Sequence, residues 1–474
     1  MFLFHNKPNV VFTTSSASPA PGKWGYIQVG NSSYSGTANL SNSQIQYAQK
    51  LQIEKGTATL TSTSISNCSM DGINVTTAGI LNMTGGNISG IGYSGIGVNT
   101  GGVATLNGVG ISNAIQNGIW VTTGTVIDIT GCTISNCNYP VYYSGPSSVT
   151  LSGVNSFTGN SKNYIYIEFS TMNSDMTIPS YPVPLYFPYG FTVNEGKKFE
   201  IGSNNILKFQ DNTALYINGT LVAKAKTGEN IYFTSFRDDN WGGDSNKDGT
   251  ITAGSSGRWY GIRFENPSDD VNSVMRRCKV RYAGAYNTGG ISIFNASPVI
   301  DSCNLSDNYF GVYMQYASNP VITNDTIGIS QMTPVAMSFE ANPTMSNNTL
   351  SSSENTYDAI GLIGGTLTAD ATLKIRSFTS VQNITYLMLD QIVVPSGKSL
   401  AINKGIVIKS YSGWDHRIVV NGTLTANASA DSMITFTSEK DDNFGNPGDS
   451  NTDGTITSPV VGDWGGIVFG NGST

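Results

Sequence analysis

"LTSTSIS" at residues 60–66 returns as "MTGGNIS" at 83–89, "LNGVGIS" at 106–112, "ITGCTIS" at 129–135 and "LSGVNSF" at 151–157. Aligned, these phrases place Leu60, Met83, Leu106, Ile129 and Leu151 in one column and Ile65, Ile88, Ile111, Ile134 and Phe157 in a second. The second column advances by 23 residues four times in succession. Eight residues beyond it stand Ile73, Ile96, Ile119 and Ile165, with Val141 one residue early. Each repeat therefore reads as several short strands separated by turns. A unit of that size cannot bury its own apolar face, but stacking such units makes a continuous core, which is the logic of a solenoid.

A step of 23 residues suits one coil of a parallel β-helix. Alternate residues of a strand point inward, so "CTI" puts Cys132 and Ile134 inside and Thr133 outside. The position after the strand is held by Asn67, Gly90, Asn113 and Asn136. Asn and Gly enter the left-handed backbone region at least cost, so this column predicts a stacked bend. A leucine-rich repeat would show L-x-x-L-x-L, and a propeller would run on longer units. After residue 275 the pattern resumes, aligning Val280, Leu305, Ile327 and Leu350 in a second stack.

Composition agrees. Only 12% of the 474 residues are charged, Gly reaches 54, and Ser, Thr and Asn crowd every window, which suits short strands and turns better than amphipathic helices. The net charge of -7 argues against a nucleic-acid partner, whose phosphates need Lys and Arg. No apolar run of bilayer length is present, and the opening "MFLFHNKPNV" lacks the features of a signal peptide. Five cysteines are too few and too scattered for a disulfide scaffold, and two histidines, His5 and His416, offer little to zinc. Cys278 and Cys303 share a column on neighbouring rungs, about 5 Å apart. That spacing allows a disulfide, although a row of packed thiols is the preferred reading.

A larger repeat encloses the coils. The segments at 194–235 and 395–438 match through Gly196 and Gly397 and through "NGTL" at 218–221 and 421–424, and each runs through "FTS" into an acidic loop and then to Trp259 or Trp464. The chain divides into the end of a lead-in with the first coils (1–33), a coil stack (34–168), a linker and β lead-in (169–235), an acidic loop (236–258), a second coil stack (259–365), a second lead-in (366–438), a second acidic loop (439–463) and the start of a third stack (464–474). It is expected to be a fragment of a longer array, further copies of the module being its natural neighbours.

Through "STSISNCSMDGINV", "PVIDSCNLSDNYFGVYM" and "NGTL...ITFTS...GDWGGI" the chain resembles the right-handed parallel β-helix domains of the pectin-lyase-like superfamily, as repeated in large bacterial cell-surface and secreted proteins. The resemblance covers most of the chain. It implies an all-β, right-handed parallel β-helix in tandem modules and an extracellular or cell-surface location. It does not select an activity, because that superfamily contains polysaccharide lyases and hydrolases, adhesins and stalks alike.

The acidic loops share D-x-N-x-D-G, as Asp244, Asn246, Asp248, Gly249 and again as Asp449, Asn451, Asp453, Gly454. Alternate oxygen-bearing side chains before a glycine let the backbone wrap a hard cation, and calcium is the expected occupant, with a carbonyl from Thr250 or Thr455. An EF-hand would add a twelfth-position Glu where Ser255 and Val460 stand, so the missing ligands are assigned to Asp238 and Asp239 and to Asp441 and Asp442. The plainer alternative is a polar loop of Asx turns. Near the N-terminus the equivalent junction runs from Phe12 to Trp24 with no acidic segment, so the loop reads as an insertion that decorates the coil.

Lyases on this fold need a base and a means of neutralising the substrate carboxylate, and hydrolases need convergent carboxylates. The densest basic cluster, Arg276, Arg277, Lys279 and Arg281, puts Arg277, Lys279 and Arg281 outward in a row by strand alternation, as a candidate glycan contact or an ordinary solvated face. Tyr142, Tyr143, Tyr164 and Tyr166 are read as covering the last rungs of the first stack, with sugar stacking as the alternative. The functional expectation is an adhesive or stalk module, calcium-stiffened, facing a polysaccharide or a neighbouring cell surface. Its competitor is a lyase or glycoside hydrolase of acidic polysaccharide.

Overall fold

A computed structural model describes residues 10–351 and 355–474, and His5 lies outside the described residues. Among these residues there is no helix, and the strands stack in parallel, each on the strand one coil earlier. The chain forms two compact units. One comprises Met1–Phe191, Lys197–Phe209 and Phe236–Thr252, the other Thr192–Gly196, Gln210–Ser235 and Ala253–Thr474.

In the first unit the repeated phrases are the rungs of a three-faced β-solenoid. Ile65, Ile88, Ile111, Ile134 and Phe157 are direct register partners from rung to rung, and all are 0–1% exposed. Leu60, Met83, Leu106, Ile129 and Leu151 pair in the same way on a second face. On the third, Leu51, Ile73, Ile96, Ile119 and Val141 are fully buried in register. Each fully buried side chain of these columns contributes roughly 1.5–3 kcal/mol, and Cys132 and Ile134 lie inside while Thr133 is exposed. The predicted bend is present: Asn67, Gly90, Asn113 and Asn136 have φ of 55°, 66°, 53° and 54°.

A second set of inward asparagines locks one coil to the next. Asn155 accepts the N–H of Cys132 at 2.8 Å and donates to the carbonyl of Ile129 at 3.4 Å. Asn160 repeats this on Cys137 and Ile134, and Asn205 on Tyr181 and Pro179. These amides satisfy backbone groups that the turns leave unpaired inside the core.

The segments read as lead-ins are further rungs of the same kind. In the first unit Leu185–Phe187 stacks on Ile165–Ile167, and Ile206–Phe209 stacks on Leu185–Phe187. In the second unit Ala214–Ile217 pairs with Gly261–Phe264, and Val407–Ser410 joins Tyr386–Met388 to Thr435–Ser438. Bulkier residues fill these rungs, Phe187, Phe199 and Phe209 among them, so their sequence departs from the lighter coil phrase. In the second unit Val280, Leu305, Ile327 and Leu350 are register partners, as their alignment predicts. Cys278 and Cys303 are free buried thiols, with the Cys278 N–H donating to Cys303 Sγ at 3.4 Å.

Candidate metal centres

Each acidic loop is an insertion between two rungs, and each builds itself first from local hydrogen bonds. In the first, Asp244 Oδ1 accepts the N–H of Asp248 at 3.2 Å and Oδ2 that of Gly249 at 2.9 Å. Asn246 Nδ2 donates to Asp248 Oδ2 and to Thr252 Oγ1, both at 3.0 Å, and the Thr252 hydroxyl donates to the same Asp248 oxygen. Gly249 closes the turn at φ 68°. The second loop repeats the design. Asp449 accepts from Asp453 at 3.1 Å and Gly454 at 2.9 Å, Asn451 donates to Asp453 at 2.8 Å and Thr457 at 3.2 Å, and Gly454 has φ 71°.

This folding gathers carboxylates. Oxygens of Asp239, Asp244 and Asp248 lie within 4.8 Å of one another, as do those of Asp442, Asp449 and Asp453. Oδ1 of Asp239 and of Asp248 is buried with no hydrogen-bond partner, and the same holds for Oδ1 of Asp442, Asn451 and Asp453. Burial and then the charge of Asp244 raise the Asp239 carboxyl above its ordinary range, while Lys208 opposes them. Burial and then Asp449 do the same to Asp442. Oxygens left unpaired and drawn together suit a hard cation with oxygen ligands.

Of the paired acids assigned from sequence, only the second member joins each cluster. Asp238 is 1% exposed, and its Oδ1 accepts the N–H groups of Asn240 and Trp241 at 3.0 and 3.3 Å, starting the loop as an Asx turn. Asp441 likewise accepts from Asn443 N and from the Thr437 hydroxyl. Thr250 and Thr455 follow the glycines and are exposed.

Two groups escaped the sequence reading. The hydroxyls of Thr252 and Thr457 bond the central Asp of each loop, at the ninth loop position, where calcium loops often carry an oxygen or a water. The other is a lysine beneath each loop. Lys208 is fully buried, and its ammonium donates to the carbonyls of Asp238 and Gly243, each at 2.7 Å. Lys409, also fully buried, donates to the carbonyl of Gly448. Burial lowers the Lys409 pKa, and Asp442, Asp441, Asp449 and Glu439 oppose it. The signal was available, because "ILKF" at 206–209 and "VIKS" at 407–410 each carry a lysine in matching rungs.

The basic cluster is not one outward row. Arg277 occupies a left-handed bend at φ 54°, which interrupts the alternation, and its guanidinium donates to the Ala225 carbonyl at 3.2 Å. Arg276 pairs with Asp301 at 2.6 Å on the adjacent rung. Lys279 and Arg281 remain on one strand, over the rings of Tyr232 and Tyr282. The tyrosines also divide. Tyr143 points into the core against Tyr181, whereas Trp120, Tyr142, Tyr166 and Tyr186 form an outward ladder. Tyr142 and Tyr166 stack at 4.9 Å and 9°, so each covers one face of the other, and Tyr186 is buried with its ring stacked on Phe236 at 3.8 Å. A sugar stacks on ring faces, and this ladder offers few.

A family model described as "Right handed beta helix region" matches residues 25–170, 71–236 and 260–388. No curated protein and no solved structure matches the chain.

Proposed function

The chain belongs to the right-handed β-helix family, and from that premise we propose that it serves as an adhesive or stalk module of a secreted or cell-surface bacterial protein, with one calcium ion in each acidic loop. The observation that carries the calcium reading is the repeated convergence of three carboxylates around buried oxygens that have no partner. Asp239, Asp244 and Asp248, with Asn246 and Thr252, are the ligand candidates of the first loop. Asp442, Asp449 and Asp453, with Asn451 and Thr457, are those of the second. Calcium would cross-link the base of each loop to its tip and so stiffen the insertion.

The adhesive reading rests on the solenoid's long repetitive faces, along which weak contacts to a polysaccharide or a neighbouring cell surface add up. Lys279 and Arg281 are the basic groups on one such strand. The test is calorimetric titration of calcium into chelator-treated protein. Two sites are expected, lost in the Asp244→Ala, Asp449→Ala double variant, and saturation at a hundredfold Kd contributes about 2.7 kcal/mol of stability per site. Absence of heat and of any melting shift at millimolar calcium overturns the reading.

A further inference from the structure

The second unit contains a cationic cavity unrelated to the acidic loops. In one sheet, Ile300, Ile322 and Met345 are register partners on successive rungs. The first two are fully buried, but Met345 is half-buried, because Thr344–Ser346 ends that sheet and the next rung begins a new one at Ala371–Leu373. Chain from Lys374 onward crosses this break, held by buried Phe378 and by the Thr379 N–H donating to the Asn348 carbonyl at 2.7 Å. A cavity of about 440 Å³ remains between them, lined by Asn342, Met345, Lys374, Arg376 and Gln382 among others.

Arg376 is 6% exposed, yet among the described residues no carboxylate pairs with it. Its partners are neutral oxygens: the Tyr386 hydroxyl at 2.9 Å, and the Lys374 carbonyl and Asn342 Oδ1, both at 3.4 Å. Nε has no partner at all. Tyr386 donates in turn to the Lys374 carbonyl at 2.6 Å, which fixes one edge of the guanidinium and leaves the opposite edge weakly bonded. A buried cation without a counter-ion is costly. Here it shares a cavity with a second cation, Lys374, whose side chain reaches solvent.

We propose that this cavity binds an oxyanion, a carboxylate or sulfate group on a small molecule or saccharide, held by Arg376 with Lys374 as its outer partner. The guanidinium, bonded to neutral oxygens alone, favours such a group through charge-assisted hydrogen bonds, and Lys374 supplies a second charge in the lining. The probes are sodium sulfate and sodium glucuronate, titrated at constant ionic strength against a chloride reference and followed by calorimetry and thermal melting. Saturable binding to one site is expected, and whichever probe binds more tightly tells sulfate from carboxylate recognition. Lys374→Gln alters an exposed side chain and leaves the fold intact. It is expected to weaken binding about tenfold. Arg376→Lys, which keeps the charge and loses the fork, should weaken it further. The proposal is overturned if neither probe binds saturably to the wild type, or if Lys374→Gln and Arg376→Lys bind as the wild type does.

Discussion

Asp325 stands in the inward column where other coils carry asparagine, and replacing it with asparagine should abolish the pH dependence that it imposes. Its Oδ1 accepts the N–H of Cys303 at 2.6 Å, as Asn160 does for Cys137, but Oδ2 is buried with no partner, where an amide nitrogen would donate to a backbone carbonyl. The residue is 1% exposed. Burial, reinforced by Asp301, moves its pKa from 3.8 to about 7 in spite of the Cys303 N–H. The folded state thus holds a proton that the unfolded chain releases near pH 4. Its contribution is therefore neutral below that pH and becomes unfavourable as pH rises from about 4 to about 7. About three pKa units correspond to roughly 4 kcal/mol above pH 7, or about 10 °C in melting temperature for a unit of this size. Melts of wild type and Asp325→Asn from pH 4.5 to 8.5 isolate this group, because other carboxylates titrate alike in both. The two should differ least at pH 4.5, by about 1 kcal/mol, with the variant gaining progressively up to pH 8. Parallel profiles across the range would refute the reasoning.

Three further outcomes are expected. Asn113→Ala should cost about 1 kcal/mol in denaturant titrations, whereas Asn113→Gly stays within a few tenths, because the residue sits at φ 53°. Lys409→Met removes the donor to the Gly448 carbonyl beneath the second loop. Limited proteolysis should then cut faster within 441–463 while the solenoid's melting transition survives. The five cysteines are buried free thiols, and burial raises the pKa of Cys68 to about 11. A thiol reagent at pH 8 should therefore label less than one cysteine per native chain and all five after denaturation.

The solenoid was legible because its signal repeats. An inward Ile every 23 residues, followed by Asn or Gly, leaves stacking as the way to bury the one and seat the other, and the register of Ile65, Ile88, Ile111 and Ile134 follows directly. The acidic loops were legible in part. D-x-N-x-D-G makes its own hydrogen bonds within six residues, so Asp244 and Asp248 come together by local geometry. Which neighbouring acid joins them is not local. Asp238 and Asp239 are adjacent acids, and the N–H groups of Asn240 and Trp241 capture the first and leave the second to the cluster. Strand alternation also misplaced Arg277, since a left-handed bend divides two strands that the sequence reads as one.

By itself, then, the sequence determined the architecture, the rung register, the bend columns and the core of each acidic loop, all of which depend on short-range periodicity or on bonds between near neighbours. Tertiary structure alone decided the rest. Lys208 and Lys409 meet their loops 30 or more residues further along the chain. Arg376 becomes a buried cation at a cavity because one sheet stops at Ser346. Such contacts depend on where a later rung or loop happens to cover an earlier one, and the repeat, although it carries a lysine at both matching positions, holds no record of which carbonyls that lysine meets.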